Sequence, residues 1–221
     1  MILSITHLFL VSLATITPNV FAKFLVEADA PEYELTHPFA LIISLITLVY
    51  FYLLFGAIQS FSYQSQSAYI VFSLALATTA QTDSQTLLIS RWTSVFLVPV
   101  ALFYANMGFL TITPLLSICG ALLGLLVLSF TAKIAKYLTQ QESLGQGDID
   151  LLACIGSFLG PVGCWMTLLF GSILGSSIGI FFFILKGKNA RSLKLPFGTF
   201  LAIGAMSQLL LQFYNLTFFT F

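Results

Sequence analysis

Long apolar runs, separated by short polar stretches, make up most of the chain. They cover about 2–22, 38–58, 66–82, 93–109, 110–131, 149–160, 162–185 and 197–216. A helix that crosses a bilayer needs roughly 20 mostly apolar residues, fewer where neighbouring helices shield it. The pattern therefore predicts an all-α, polytopic membrane protein of about eight transmembrane helices. The sixth run is short and ends at "GPVG", where Pro161 blocks helix continuation and the glycines permit a tight turn. The first run, "MILSITHLFLVSLATITPNVFA", ends like a signal-peptide cleavage site but has no basic stretch ahead of it. It reads as a first membrane helix, with cleavage the alternative. In the seventh run Gly171, Gly175 and Gly179 form a flat stripe that lets another helix approach closely, and Gly120 and Gly124 do the same in the fifth.

With eight spans the polar gaps alternate between two sides, and the charges sort accordingly. One side receives Lys23, Arg91, Lys133, Lys136, Lys186, Lys188, Arg191 and Lys194, all the basic residues of the chain. The opposite gaps, "QSFSYQSQ", "NMGF", "GPVG" and the tail "LTFFTF", carry none. The positive-inside rule makes the charged side cytoplasmic and places both termini outside. Composition agrees: 58% of residues are hydrophobic, 7% are charged and the mean hydropathy is +1.01, too little charge for a soluble surface. Eight basic residues balance eight acidic ones, so no basic face for nucleic acid is expected. Cys119, Cys154 and Cys164 lie inside apolar runs with no Cys-x-x-Cys pair, which argues against a metal site or a disulfide framework.

All the acidic residues fall on the cytoplasmic side as well. Glu27, Asp29, Glu32 and Glu34 sit in the first loop, where they read as a solvated linker or as an electrostatic lure for basic partners. Asp83 closes the third run, and Asp148 and Asp150 open the sixth. Asp83 and Asp148 are thus expected at similar depth on different helices. Two facing carboxylates cannot both ionise cheaply, so a pair can share one proton near neutral pH. One then acts as general base on a water while the other protonates a carbonyl oxygen or a leaving amine. Such chemistry needs no metal and no cofactor. The string "GQGD" places Gly145 and Gly147 just before Asp148. Residues without a Cβ let the backbone turn sharply, take a positive φ and come close to an extended peptide. The plain alternative is a helix-capping loop with Asp148 complementing the helix dipole.

The segment "LGQGDIDLLACIGSFLGP" resembles the Gly-x-Gly-Asp segment of type IV prepilin peptidases, the membrane aspartyl proteases that process pilin and pseudopilin precursors. "LPFGTFLAIGA", residues 195–205, is similar to that family's Pro-Phe-Gly stretch, and "ATTAQTDSQTLLISRW" is a looser third match with Asp83 and Ile89 six apart. The resemblance covers about residues 65–215 and implies Asp83 and Asp148 as the catalytic pair. It further implies Gly145 and Gly147 as the active-site loop, with Pro196, Phe197 and Gly198 supporting the site. It departs from the family at Ser90 and Arg91, where Pro and an acidic or amide residue are usual, and at Asp150, where a lysine is common. Asp150 lies about 200° around a helix from Asp148, which leaves open which of the two faces inward. Bacterial members with a methyltransferase activity carry two Cys-x-x-Cys pairs between the first two spans. Here residues 23–37 are a short acidic loop without cysteine.

The resulting expectation is a single integral membrane peptidase domain over residues 1–221, without N-methyltransferase activity. It would sit in the cytoplasmic (inner) membrane with its active site near the cytoplasmic face. Its partners would be pilin-like or pseudopilin precursors and the lipid bilayer. The other readings are a preflagellin-type or other intramembrane aspartyl protease, a small ion- or proton-coupled transporter, and an inactive relative.

Overall fold

The computed structural model describes residues 36–59, 61–140, 145–186 and 195–214. Among the described residues all regular structure is helical, in six helices: α1 (Thr36–Ile58), α2 (Tyr63–Thr86), α3 (Leu97–Asn106), α4 (Pro114–Thr139), α5 (Gln146–Lys186) and α6 (Phe197–Phe213). Local chemistry sets several boundaries. Ser62 and Thr113 each accept a backbone N–H with their side-chain oxygen at the start of α2 and α4, and Pro114 follows in the first turn of α4. Leu87 and Gln140 end α2 and α4 in the left-handed conformation, with φ of 56° at both.

The expected count of about eight spans is corrected to six helices among the described residues. The run 2–22, the acidic loop 23–37, the basic loop around residue 190 and both termini lie outside the described residues. The runs 149–160 and 162–185 form one helical stretch, α5, interrupted at Gly160, where φ is 74° and ψ is −177°. Only glycine adopts that combination readily. The chain reverses there: Cys164 Sγ lies 4.0 Å from the Leu152 carbonyl, whereas twelve residues of straight helix would separate them by about 18 Å. Both arms of α5 accordingly meet the first turn of α6, Asp148 beside Gly198 and Gly175 beside Phe200.

Three stretches are long and apolar enough to cross a membrane: Leu41–Ile58, Pro114–Leu138 and Gln146–Leu185. α3 and α6 are apolar but shorter, with 10 and 17 residues. The run 93–109 shrinks to α3 because residues 91–96 form turns instead. α2 is long enough but too polar, and the reason is its position within the helix assembly. Three of its buried polar side chains bond outside the helix rather than facing lipid. Ser73 pairs with Tyr50 at 2.7 Å, Gln81 donates to Ser44 at 2.8 Å, and Thr79 donates to Thr93 at 3.0 Å. Hydrogen bonds across helices replace water where none is available.

Glycines fix the closest contacts. A Cβ on Gly120 or Gly156 would strike the other residue's carbonyl, and one on Gly124 would lie 2.5 Å from the Leu152 oxygen. α4 and the first arm of α5 therefore touch backbone to backbone, and Ser117 Oγ donates to the Ser157 carbonyl at 2.6 Å across the seam. Gly171 and Gly204 likewise let the second arm of α5 approach α6, though less tightly. Phe72 stacks on Phe158 at 4.4 Å in the core between α2 and α5, a pairing that contributes about 1 kcal/mol beyond its buried area. At one end of the assembly Tyr69, Phe61 and Phe213 cluster, with Tyr69 bonded to Thr111. The carboxylates gather at the other.

Candidate active site

Asp83 lies in the last turn of α2 and is only 4% exposed. It meets the start of α6, where four backbone N–H groups have no partner within the helix. Pro196 occupies the capping position of α6 and offers no side-chain cap. Asp83 supplies one from another helix. Thr199 donates its backbone N–H to Asp83 Oδ2 at 2.6 Å and its hydroxyl to the same oxygen at 3.0 Å. A carboxylate in this place also complements the positive end of the helix dipole.

Asp148 lies in the first turn of α5, with its backbone N–H donating to the Gly145 carbonyl at 3.3 Å. Gly198 brings the two acids together. A Cβ built there would lie 3.1 Å from Asp148 Oδ1 and 3.1 Å from Asp83 Oδ2. The two oxygens, both that close to one point, stand no more than twice that distance apart. Asp148 and Asp83 repel one another electrostatically, whereas the electrostatic partner of Asp150 is Arg91. The choice between Asp148 and Asp150, open in the sequence, is thus decided by the packing.

The other expected residues gather at the same place, with one correction. Gly145 and Gly147 were expected to exploit a positive φ, but among the described residues the positive-φ glycines are Gly108 and Gly160. Gly147 is required for space: a Cβ would come 2.8 Å from Ile89 Cβ. Gly145 lies against Asp148, its Cβ position 3.4 Å from Oδ2. Pro196 is buried at the head of α6, and Phe197 packs against the core. Gly198 does more than support the site, because it is the floor between the carboxylates.

Two residues acquire roles that the sequence did not show. Ile89, noted only for its spacing from Asp83, reaches both Gly147 and Gly198 with its side chain. It gets there because Leu87, held left-handed with its N–H on the Asp83 carbonyl, turns the chain back at once. The second is Thr199. Its signal was a hydroxyl residue in the first turn after Pro196, where free N–H groups attract an acid.

A family model for the type IV leader peptidase family matches residues 70–180, half of the chain, and spans both aspartates. The chain belongs to that family. It is similar to proteins named prepilin leader peptidase/N-methyltransferase from Aeromonas hydrophila, 37% identical over 94 residues, and from Pseudomonas putida, 36% identical over 88 residues. A third such protein, from Xanthomonas campestris, is 34% identical over 87 residues. The matched stretch covers 42%, 39% and 39% of this chain and 32%, 30% and 30% of those proteins, respectively. The chain thus aligns with about a third of the length of its curated relatives. No solved structure matches it. Family and apolar helices together make it a membrane protein.

Proposed function

We propose that this leader-peptidase family member is an aspartyl endopeptidase that removes the leader from pilin-like or pseudopilin precursors. The carrying observation is the convergence of Asp83 and Asp148, from different helices, on the two sides of Gly198. Relatives named prepilin leader peptidase supply the substrate class. The described chain acts as one peptidase domain in the cytoplasmic membrane. The carboxylates lie near the cytoplasmic face, as the placement of the basic residues in the sequence suggests. Only the peptidase half of the relatives' name is taken over, since the sequence has no Cys-x-x-Cys pair.

The reaction follows from a pair that shares one proton. The ionised carboxylate takes a proton from water as the water oxygen bonds to the scissile carbonyl carbon. The protonated partner gives its proton to the carbonyl oxygen, and a neutral gem-diol forms. The acid made in the first step then protonates the amide nitrogen as the C–N bond breaks. A gem-diol hydroxyl returns its proton to the other aspartate, which restores the starting state. The exposed backbone at Gly145, beside Asp148, leaves room for an extended peptide at the acids.

The test is cleavage of a pilin-like precursor in membranes with matched expression of the variants. Asp83→Asn and Asp148→Asn should each lose at least about a thousandfold in rate. Asp150→Asn should stay within a few-fold of wild type. Full cleavage by either of the first two variants would refute the mechanism.

A further inference from the structure

We infer that Thr199 is a positioning residue that holds Asp83 as the ionised member of the pair, so that Asp83 is the base and Asp148 the acid. This inference rests on the aspartyl-peptidase reading given above, and it assigns roles that the reading leaves symmetrical. Thr199 is fully buried behind Asp83, and both of its polar groups point at one oxygen, Asp83 Oδ2, at 2.6 Å and 3.0 Å. A backbone N–H only donates, so a proton placed on that oxygen would face another proton. The hydroxyl has a second acceptor in reach, the Ala80 carbonyl at 3.2 Å. Its single proton can therefore move between Ala80 and Asp83, and it goes to Asp83 whenever that carboxylate bears the charge. Donors aimed at a carboxylate favour its charged form.

The other groups around Asp83 do not offset this. α5 contributes Asp148, whose charge opposes that of Asp83. The cation Arg91 is exposed, and its charge acts on Asp150. α6 offers Thr199, and its dipole is positive at this end. Gly145 offers Asp148 a single backbone donor, against two from Thr199 at Asp83, so the negative charge is favoured on Asp83 and the shared proton on Asp148. Water then loses its proton to Asp83, and the scissile carbonyl oxygen receives the proton of Asp148.

Because Thr199 sits behind the acid and away from the space over Gly198, changing it should alter kcat and not KM. The experiment uses the full chain in membranes. The substrate is a synthetic precursor with a basic leader ending in glycine, followed by a hydrophobic segment. Thr199→Val keeps the shape and the backbone N–H but removes the hydroxyl. It should lower kcat about tenfold to a hundredfold with KM within about twofold, while Thr199→Ser restores kcat to within about threefold. Thermal stability of the detergent-solubilised variants is measured alongside, and Val and Ser should match. Wild-type kcat in Thr199→Val would overturn the inference, as would a loss that Ser does not rescue or one confined to KM. Asp83→Asn and Asp148→Asn run in the same assay separate the two levels. If both abolish cleavage while Thr199→Val does not slow it, only the role of Thr199 falls. If either aspartate variant cleaves normally, the peptidase mechanism falls, and this inference with it.

Discussion

Replacing Gly198 with alanine tests the site at its narrowest point. The added methyl would sit 3.1 Å from an oxygen of each aspartate and 2.5 Å from Ile89 Cδ1. Ile89 can yield, since the atom is the end of a flexible side chain, and a strained rotamer costs about 1 kcal/mol. Alanine in place of glycine in a helix returns up to about 1 kcal/mol, so fold stability should hardly change. The carboxylates have less freedom, because Asp83 is held by Thr199 and Asp148 by the helix start at Gly145. Each must retreat by a few tenths of an ångström. A misplacement of 1 Å in reacting groups costs about a hundredfold in rate. Two smaller displacements together should then cost about tenfold, or about 1.4 kcal/mol of barrier. The assay is precursor cleavage in membranes, with kcat and thermal stability measured on the same preparation. Gly56→Ala is the control, because its nearest neighbour, Tyr214 Oη, is 3.7 Å away. A Gly198→Ala variant that is stable and cleaves at wild-type kcat would refute the claim that the two acids work across this gap.

Three further outcomes are expected. Gly124→Ala places a methyl 2.5 Å from the Leu152 carbonyl, so α4 and α5 must part; a loss of about 1–3 kcal/mol should appear as a lower melting temperature in detergent. Gly160→Ala forces a side chain into the φ 74°, ψ −177° reversal, at about 1–3 kcal/mol, and limited proteolysis should cut near residue 160 faster than in wild type. Asp150→Lys sets a second cation beside Arg91, its present electrostatic partner, and should slow cleavage several-fold at low salt; adding Arg91→Glu should restore the rate, and high salt should shrink both effects.

The charge swap bears on the departures from the family pattern. Arg91 stands where an acidic or amide residue is usual and Asp150 where a lysine is common, and taken singly each counts against activity. In the structure the positive charge of Arg91 acts on Asp150. No reading of one position could show this, because the two residues lie far apart in the chain and meet only when α5 packs against the segment after α2.

Much of the protein was legible in its pattern of apolar residues. A run of apolar side chains with few charges leaves the backbone one economical way to satisfy its own hydrogen bonds, so the helices around 38–58, 110–131 and 197–216 followed directly. The reversal at Gly160 and Pro161 was legible for the same local reason: proline removes a donor, and glycine alone tolerates the required angles. Asp83 and Asp148 stood out because charges are rare in this composition and both fell at the same expected boundary. Hydropathy failed where tertiary contacts replace lipid. Ser73, Thr79 and Gln81 of α2 find hydrogen-bond partners on α1 and on the segment before α3, and a count of apolar residues cannot see such partners. Nor could it see that Asp83 caps a helix more than a hundred residues away, that Ile89 fills the space left by Gly147 and Gly198, or that Asp148 rather than Asp150 turns inward. The sequence by itself determined which segments become helices and which few residues carry charge. Only the tertiary structure decided which of those charges meet, because burial, repulsion and hydrogen bonding act through distances in space that the order of residues does not contain.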